Sequence, residues 1–93
     1  MYVQIDCINK REHLNPHERI LYVGGFHNGK RWRQTEAETI RQIEGRINSF
    51  YVTVGGRSVD VIVAEHEGKK YLKTTADGYS PNNLLSLNEC PLA

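Results

Sequence analysis

"FYVTVGGRSVDVIVAEHEGKKYLKT", residues 50 to 74, decides the fold class. Phe50, Val52 and Val54 alternate with Tyr51 and Thr53, and Val59, Val61 and Val63 alternate with Ser58 and Asp60. A period of two is what a half-buried strand shows. Between the two runs stand Gly55-Gly56, and adjacent glycines can both adopt positive φ, as a tight hairpin turn requires. After the polar "EHEGK", Lys70 to Thr74 form a third run that pairs back as another hairpin, with His66 in the turn.

Upstream of this region the period changes. Thr35-x-x-Glu38 has the form of a capping box and starts a helix, with Ala37, Ile40, Ile43 and Ile47 as its apolar stripe and Gly45 weakening or ending its last turn. Glu36 and Glu38 at its start, and Arg41 and Arg46 toward its end, suit the helix dipole. Nearer the N-terminus, Tyr2 to Asn9 alternate and read as one strand, with Val3, Ile5 and Cys7 on one side. "KREHLNPHE" (residues 10–18) reads as a loop broken by Asn15-Pro16, Arg19 to Val23 as a second strand stopped by Gly24-Gly25, and "FHNGKRWRQ" (26–34) as a second polar loop.

The tail, "KTTADGYSPNNLLSLNEC" (73–90), carries its own signals. Asp77-Gly78 marks a turn, and Ser80-Pro81 has the form of an N-cap followed by proline at the first helical position. A short helical turn then brings Leu84, Leu85 and Leu87 against the sheet. The expected fold is α+β, in the order β-β-α-β-β-β: a single domain over residues 1–93, with a largely antiparallel sheet of about five strands, one amphipathic helix on its apolar face and a C-terminal helical turn closing an end.

Composition narrows the function classes. A chain of 93 residues with 39% hydrophobic and 25% charged residues is neither disordered nor membrane-spanning. At this length only about 60 to 65% of the unfolded surface is hidden on folding, so each large apolar residue counts. No apolar run approaches the roughly 20 residues of a membrane helix, and "MYVQIDCINKREH" lacks the basic start and long apolar stretch of a signal peptide. The expected location is the cytoplasm, where Cys7 and Cys90 are expected as two free buried thiols in preference to a disulfide. With a net charge of +1, recognition of an anionic partner has to come from a local patch.

That patch is "HNGKRWR" (27–33), where Lys30, Arg31 and Arg33 could contact phosphates while Trp32 stacks on a base. A solvated loop with Trp32 folded onto the core is the favoured alternative. Thr75, Asp77, Ser80, Asn82 and Asn83 form a polar cluster that either binds a ligand or partner or satisfies its own turns. His13 and His17 stand four apart, but Pro16 between them argues against the helix that would align them on a metal, and no metal or cofactor is expected. Asp60, His66, Asp77 and Cys90 are the candidates for catalysis, and no motif groups them as nucleophile, base and orienting partner.

"VGG", "ETIRQIEG", "FYVTVGGRSVDV" and above all "KYLKTTADGYSPNNLLSLNEC" resemble a family of short bacterial and phage-associated proteins, the domain-of-unknown-function family 3892. The likeness runs from Ile5 to Cys90. Members of that family tend to end in Leu-Pro-Glu-Cys, and Asn88 stands here where the proline would. The resemblance implies a compact cytoplasmic domain whose tail is part of the fold, with no catalytic residues to carry over. The chain therefore reads as a non-enzymatic binding or interaction module for a protein partner, a small ligand or a second copy of itself. Nucleic acid ranks behind these, and nothing suggests a membrane partner.

Overall fold

The computed structural model describes residues 1–11, 19–76 and 82–91. The loop residues Asn15 and Pro16, the pair His13 and His17, and the turn residues Asp77, Gly78, Ser80 and Pro81 lie outside the described residues. Strands β1 (Tyr2–Gln4), β2 (Cys7–Lys10), β3 (Ile20–His27) and β4 (Lys30–Thr35) precede helix α1 (Glu36–Glu44). After it come β5 (Ser49–Val54), β6 (Arg57–His66), β7 (Lys69–Thr74), the short helix α2 (Asn82–Leu85) and β8 (Asn88–Glu89). The class is α+β, but the single sheet of about five strands is corrected: the described residues form two four-stranded sheets, β1-β5-β6-β7 and β4-β3-β2-β8.

The correction begins at the N-terminus. Tyr2 to Asn9 do not form one strand, because the segment changes sheets. The Ile5 N–H donates to the Tyr51 carbonyl (2.8 Å), and the next amide, Asp6, donates to the Gly24 carbonyl (2.9 Å). β1 thus runs parallel to β5, while β2 runs antiparallel to β3 and parallel to β8. Val3, Ile5 and Cys7 are all buried, but the alternation shifts at the exchange: Ile8, set opposite Val23, joins Val3 and Ile5 in the core, while Cys7 is set opposite Gly24 on the other face of its sheet.

Gly24-Gly25 do not stop the second strand either. β3 continues through them to His27, and their missing side chains are the reason it can. A Cβ on Gly25 would overlap the Gln4 carbonyl where the crossing segment passes, and one on Gly24 would come within 2.6 Å of the Trp32 carbonyl oxygen and 3.0 Å of the sulfurs of Cys7 and Cys90. Those sulfurs form a disulfide, which corrects the expectation of free thiols. Parallel pairing of β8 on β2 sets Asn88 opposite Cys7, and the two cysteine Cα atoms stand 4.9 Å apart, within the reach of a disulfide.

Each hairpin turn has both central residues at positive φ: Asn28-Gly29, Gly55-Gly56 and Glu67-Gly68. Residues 26–34 are therefore the end of β3, a two-residue turn and most of β4, not a loop. His66 lies at the end of β6 opposite Lys69, not in the turn.

In α1 the Thr35 hydroxyl accepts from the Glu38 amide (3.1 Å), as a capping box demands. Thr35 also ends β4 opposite Tyr22, and its hydroxyl rather than its amide meets the Glu38 carboxylate. The apolar stripe is shorter than expected. Thr39 and Ile40 are buried and Ile43 is half-buried, whereas Ala37 is exposed and Ile47 lies past the helix end with 62% of its surface open. The helix stops because the amides of Arg46 and Ile47 turn back to the carbonyls of Ile43 and Gln42, with Arg46 at φ 57°.

Ile5, Ile8, Val23, Val52, Leu72 and Leu84 are fully buried and form the centre of the core. Leu84 brings α2 into it, while Lys10 Nζ donates to the Leu85 carbonyl (3.0 Å) and Asn9 Nδ2 to the Cys90 carbonyl (3.2 Å). On the outer face of the first sheet the Tyr2 ring stacks on Tyr51 at 4.4 Å and its hydroxyl donates to Asp60 (2.6 Å). Two carboxylates tie α1 to the sheet-edge strand β7. Glu44 pairs with Lys70 (2.8 Å), and Glu36 accepts from the Leu72 amide (3.3 Å). Burial pushes the Glu36 carboxyl up to about 7, against the opposing pull of the Leu72 amide and the Arg11 charge.

Three outcomes are expected. Gly25→Ala lowers unfolding free energy by about 1–3 kcal/mol or more, since the clash is with backbone, and denaturant titration reads it directly. Reducing the disulfide, which closes a sequence separation of 83, lowers stability by roughly 4 kcal/mol in the chain-entropy account; an unchanged urea midpoint in reductant contradicts that. Because the folded-state Glu36 pKa lies above its ordinary 4.5, the native state binds its proton more tightly, so this residue makes stability fall as pH rises from about 4.5 through about 7. Thermal melts of Glu36→Gln against the unmodified chain should lose that slope.

Candidate functional site

The β3–β4 hairpin sorts the basic-aromatic stretch onto two faces. Residues directly opposite on paired strands share a face. His27 is set opposite Lys30, Gly25 opposite Trp32, and Val23 opposite Gln34. Val23 is fully buried, so this set faces the interior. Phe26 is set opposite Arg31, Gly24 opposite Arg33 and Tyr22 opposite Thr35, and this set faces outward. The expected cluster of Lys30, Arg31, Trp32 and Arg33 is therefore divided. Lys30 and Trp32 go one way, Arg31 and Arg33 the other.

On the inner side lies an open cleft of about 340 Å³. Its apolar wall comprises Met1, Val3, Trp32 and Phe50, the last two with ring centroids 5.7 Å apart. Its polar wall is an amide network. Gln34 Nε2 donates to Thr39 Oγ1 (2.9 Å) and to Gln42 Oε1 (3.1 Å), and Gln42 Nε2 returns a bond to Gln34 Oε1 (3.3 Å). Asn48 Nδ2 adds a second donor to Gln42 Oε1 (3.1 Å). Reciprocal bonds of this kind fix both amide planes, so the wall is pre-organised.

Three groups around the cleft have spare bonding capacity. Trp32 Nε1 and His27 Nε2 are buried and have no hydrogen-bond partner among the described residues. Lys30, exposed beside them, has neither an ion pair nor a hydrogen bond among the described residues. A buried nitrogen without a partner costs about 1–3 kcal/mol, which makes a native protein's exceptions worth explaining. A cleft with a stacking surface, a cation and a pre-organised amide wall can hold a flat group carrying an anion.

On the outer side, the Arg31 guanidinium carbon lies 4.1 Å above the Phe26 ring centroid and that of Arg33 lies 4.0 Å above Tyr22. Arg33 Nε donates to Asn9 Oδ1 (2.7 Å), and Arg31 stands 3.5 Å from the Asp6 carboxylate and 3.4 Å from Cys7 Sγ.

The tail residues are not gathered around this cleft. Asp77 and Ser80 lie outside the described residues, Thr75 is exposed with its amide on the Asp60 carbonyl (2.9 Å), and Asn82 opens α2. The Asn83 side chain donates to Thr74 Oγ1 (2.9 Å) and its carbonyl accepts from Ser86 Oγ (3.0 Å), both contacts within the fold. The catalytic candidates are likewise dispersed. Asp60 holds the Tyr2 hydroxyl above its ordinary value through their hydrogen bond, His66 is six residues further along β6, about 20 Å at strand spacing, and Cys90 is in the disulfide. Among the described residues no group of three or more His, Cys, Asp or Glu is placed to hold a metal ion. No described helix is long and apolar enough to cross a membrane.

Sequence reading missed His27, Gln34, Gln42, Asn48 and Phe50 as neighbours of Lys30 and Trp32. The signal was Asn28-Gly29, which turns residues 26–34 into a hairpin and gives each side chain a face. Residues 4–88 match the model of a family described as protein of unknown function (DUF3892). No curated protein and no solved structure matches the chain.

Proposed function

The chain belongs to the DUF3892 family, and we propose that it is a non-enzymatic binding module that takes a small, flat, anion-bearing ligand in the cleft between the β3–β4 hairpin and β5. The observation that carries this reading is the juxtaposition of Lys30 and the two unpartnered ring nitrogens of His27 and Trp32 beside a stacking surface. The ligand ring packs on Trp32, which the buried Phe50 backs, and its carboxylate or phosphate meets Lys30. The volume suits one ring with a short acidic substituent, at the small end of natural ligand sites. The separation of Asp60, His66 and the disulfide-bonded Cys90 supports binding without chemistry.

Trp32 is the only tryptophan, so its emission reports on the cleft directly. Titration with benzoate and with phenyl phosphate should give a saturable change, and neutral benzyl alcohol a weaker one. Lys30→Ala should weaken the anionic probes by about tenfold or more, the scale of one charge-assisted hydrogen bond, while leaving benzyl alcohol unaffected. Linear, unsaturated emission changes with both anions at millimolar concentration would remove the cleft as the binding site.

A further inference from the structure

We infer that the outer face of the β3–β4 hairpin is a docking surface for single-stranded nucleic acid, read through Arg31, Arg33, Phe26 and Tyr22. This face is opposite the cleft and does not depend on what the cleft holds.

Two features together point to that partner. The first is exposed stacking area. Phe26, one residue pair from the turn, keeps 54% of its surface open, and the Arg31 guanidinium lies over its ring at 4.1 Å. Arg33 repeats the arrangement over Tyr22 at 4.0 Å. A guanidinium held over an aromatic ring is a planar cation of fixed position, and an unpaired base stacks on guanidinium planes and on aromatic rings alike. An acidic peptide would use the charges but brings no aromatic ring to stack against these surfaces.

The second feature is spacing. Arg31 and Arg33 are two apart on one strand, which puts same-face side chains about 6.6 Å from each other. That is on the scale of successive phosphates along an extended single strand. Each arginine is also oriented by the fold. Among the described residues Arg33 uses only its Nε–H, on Asn9, which leaves both terminal nitrogens of the fork for an incoming oxygen. Arg31 is held by Asp6 and by the ring beneath it, and the 3.5 Å separation from the carboxylate marks a loose, partly exposed pair that a phosphate can displace. Pre-orientation matters because an arginine's rotamer freedom is otherwise lost on binding. Trp32, the obvious stacking residue in the sequence, takes no part because it lies on the other face.

Fluorescence anisotropy of a labelled oligothymidylate or oligouridylate of about ten nucleotides tests this. Saturable binding is expected at low salt. With two phosphates neutralised, log affinity should fall against log salt with a slope of about −1.4, a loss of about sevenfold between 50 and 200 mM. Phe26→Ala, which removes an exposed ring and leaves the core alone, should weaken binding by at least about fivefold. Arg33→Lys keeps the charge but not the plane and should weaken it as well, whereas Arg57→Ala on the distant β5–β6 turn should leave it unchanged. Absence of any anisotropy change at low salt overturns the proposal. So does equal affinity for a duplex of the same length, full competition by polyglutamate at matched charge, or Arg33→Lys binding like the unmodified chain.

Discussion

At one point in the molecule two backbones run closer together than side chains allow. The Gln4 carbonyl passes over Gly25 where the N-terminal segment leaves one sheet for the other, and the consecutive amides of Ile5 and Asp6 bond to β5 and β3 respectively. The two sheets are therefore joined through one continuous segment, β1 in the first sheet and β2 in the second. Gly24, next along, makes the hollow in which the Cys7–Cys90 sulfurs sit, and through them the end of the described chain is fastened to its first strands. For a chain with so little interior, this economy of backbone contact replaces apolar volume it does not have. Leu84 supplies the remainder from the opposite end of the sequence.

The same crossing fixes the β3–β4 hairpin relative to β5, and so creates the cleft. Strand alternation then divides a single basic-aromatic run of β4 between two environments. Inside, Lys30 lines a cleft shared with neutral amides and aromatic rings; outside, Arg31 lies on a ring beside Asp6 and Cys7, and Arg33 on a ring beside Asn9. A net charge of +1 conceals this local concentration, since charge summed along a chain carries no record of face.

Much of the molecule was legible in its residues. The β5–β6–β7 meander, the Thr35 cap and the leucines of the tail follow from local pattern, because alternation, capping chemistry and apolar spacing act within a few residues. What was not legible depends on distant partners. Nothing local in Tyr2 to Asn9 says that the strand changes sheets between Ile5 and Asp6, and nothing in Gly24-Gly25 distinguishes a stop from a site of close approach until the Gln4 carbonyl is in view. The disulfide belongs to the same class, being set by the pairing of Asn88 with Cys7. Asn28-Gly29 is a different case: its hairpin signal is local and as plain as that of Gly55-Gly56, with both central residues at positive φ.

The crossing segment also dictates an order of events during biosynthesis. Tyr2 pairs with Ser49 and Cys7 with Cys90, so this segment completes its bonding only after residues translated well behind it. At about 5–20 residues per second, Val3, Ile5 and Ile8 stay uncovered for several seconds while their partners are still being translated. The nascent protein is thus most vulnerable to aggregation through those few apolar residues in the interval.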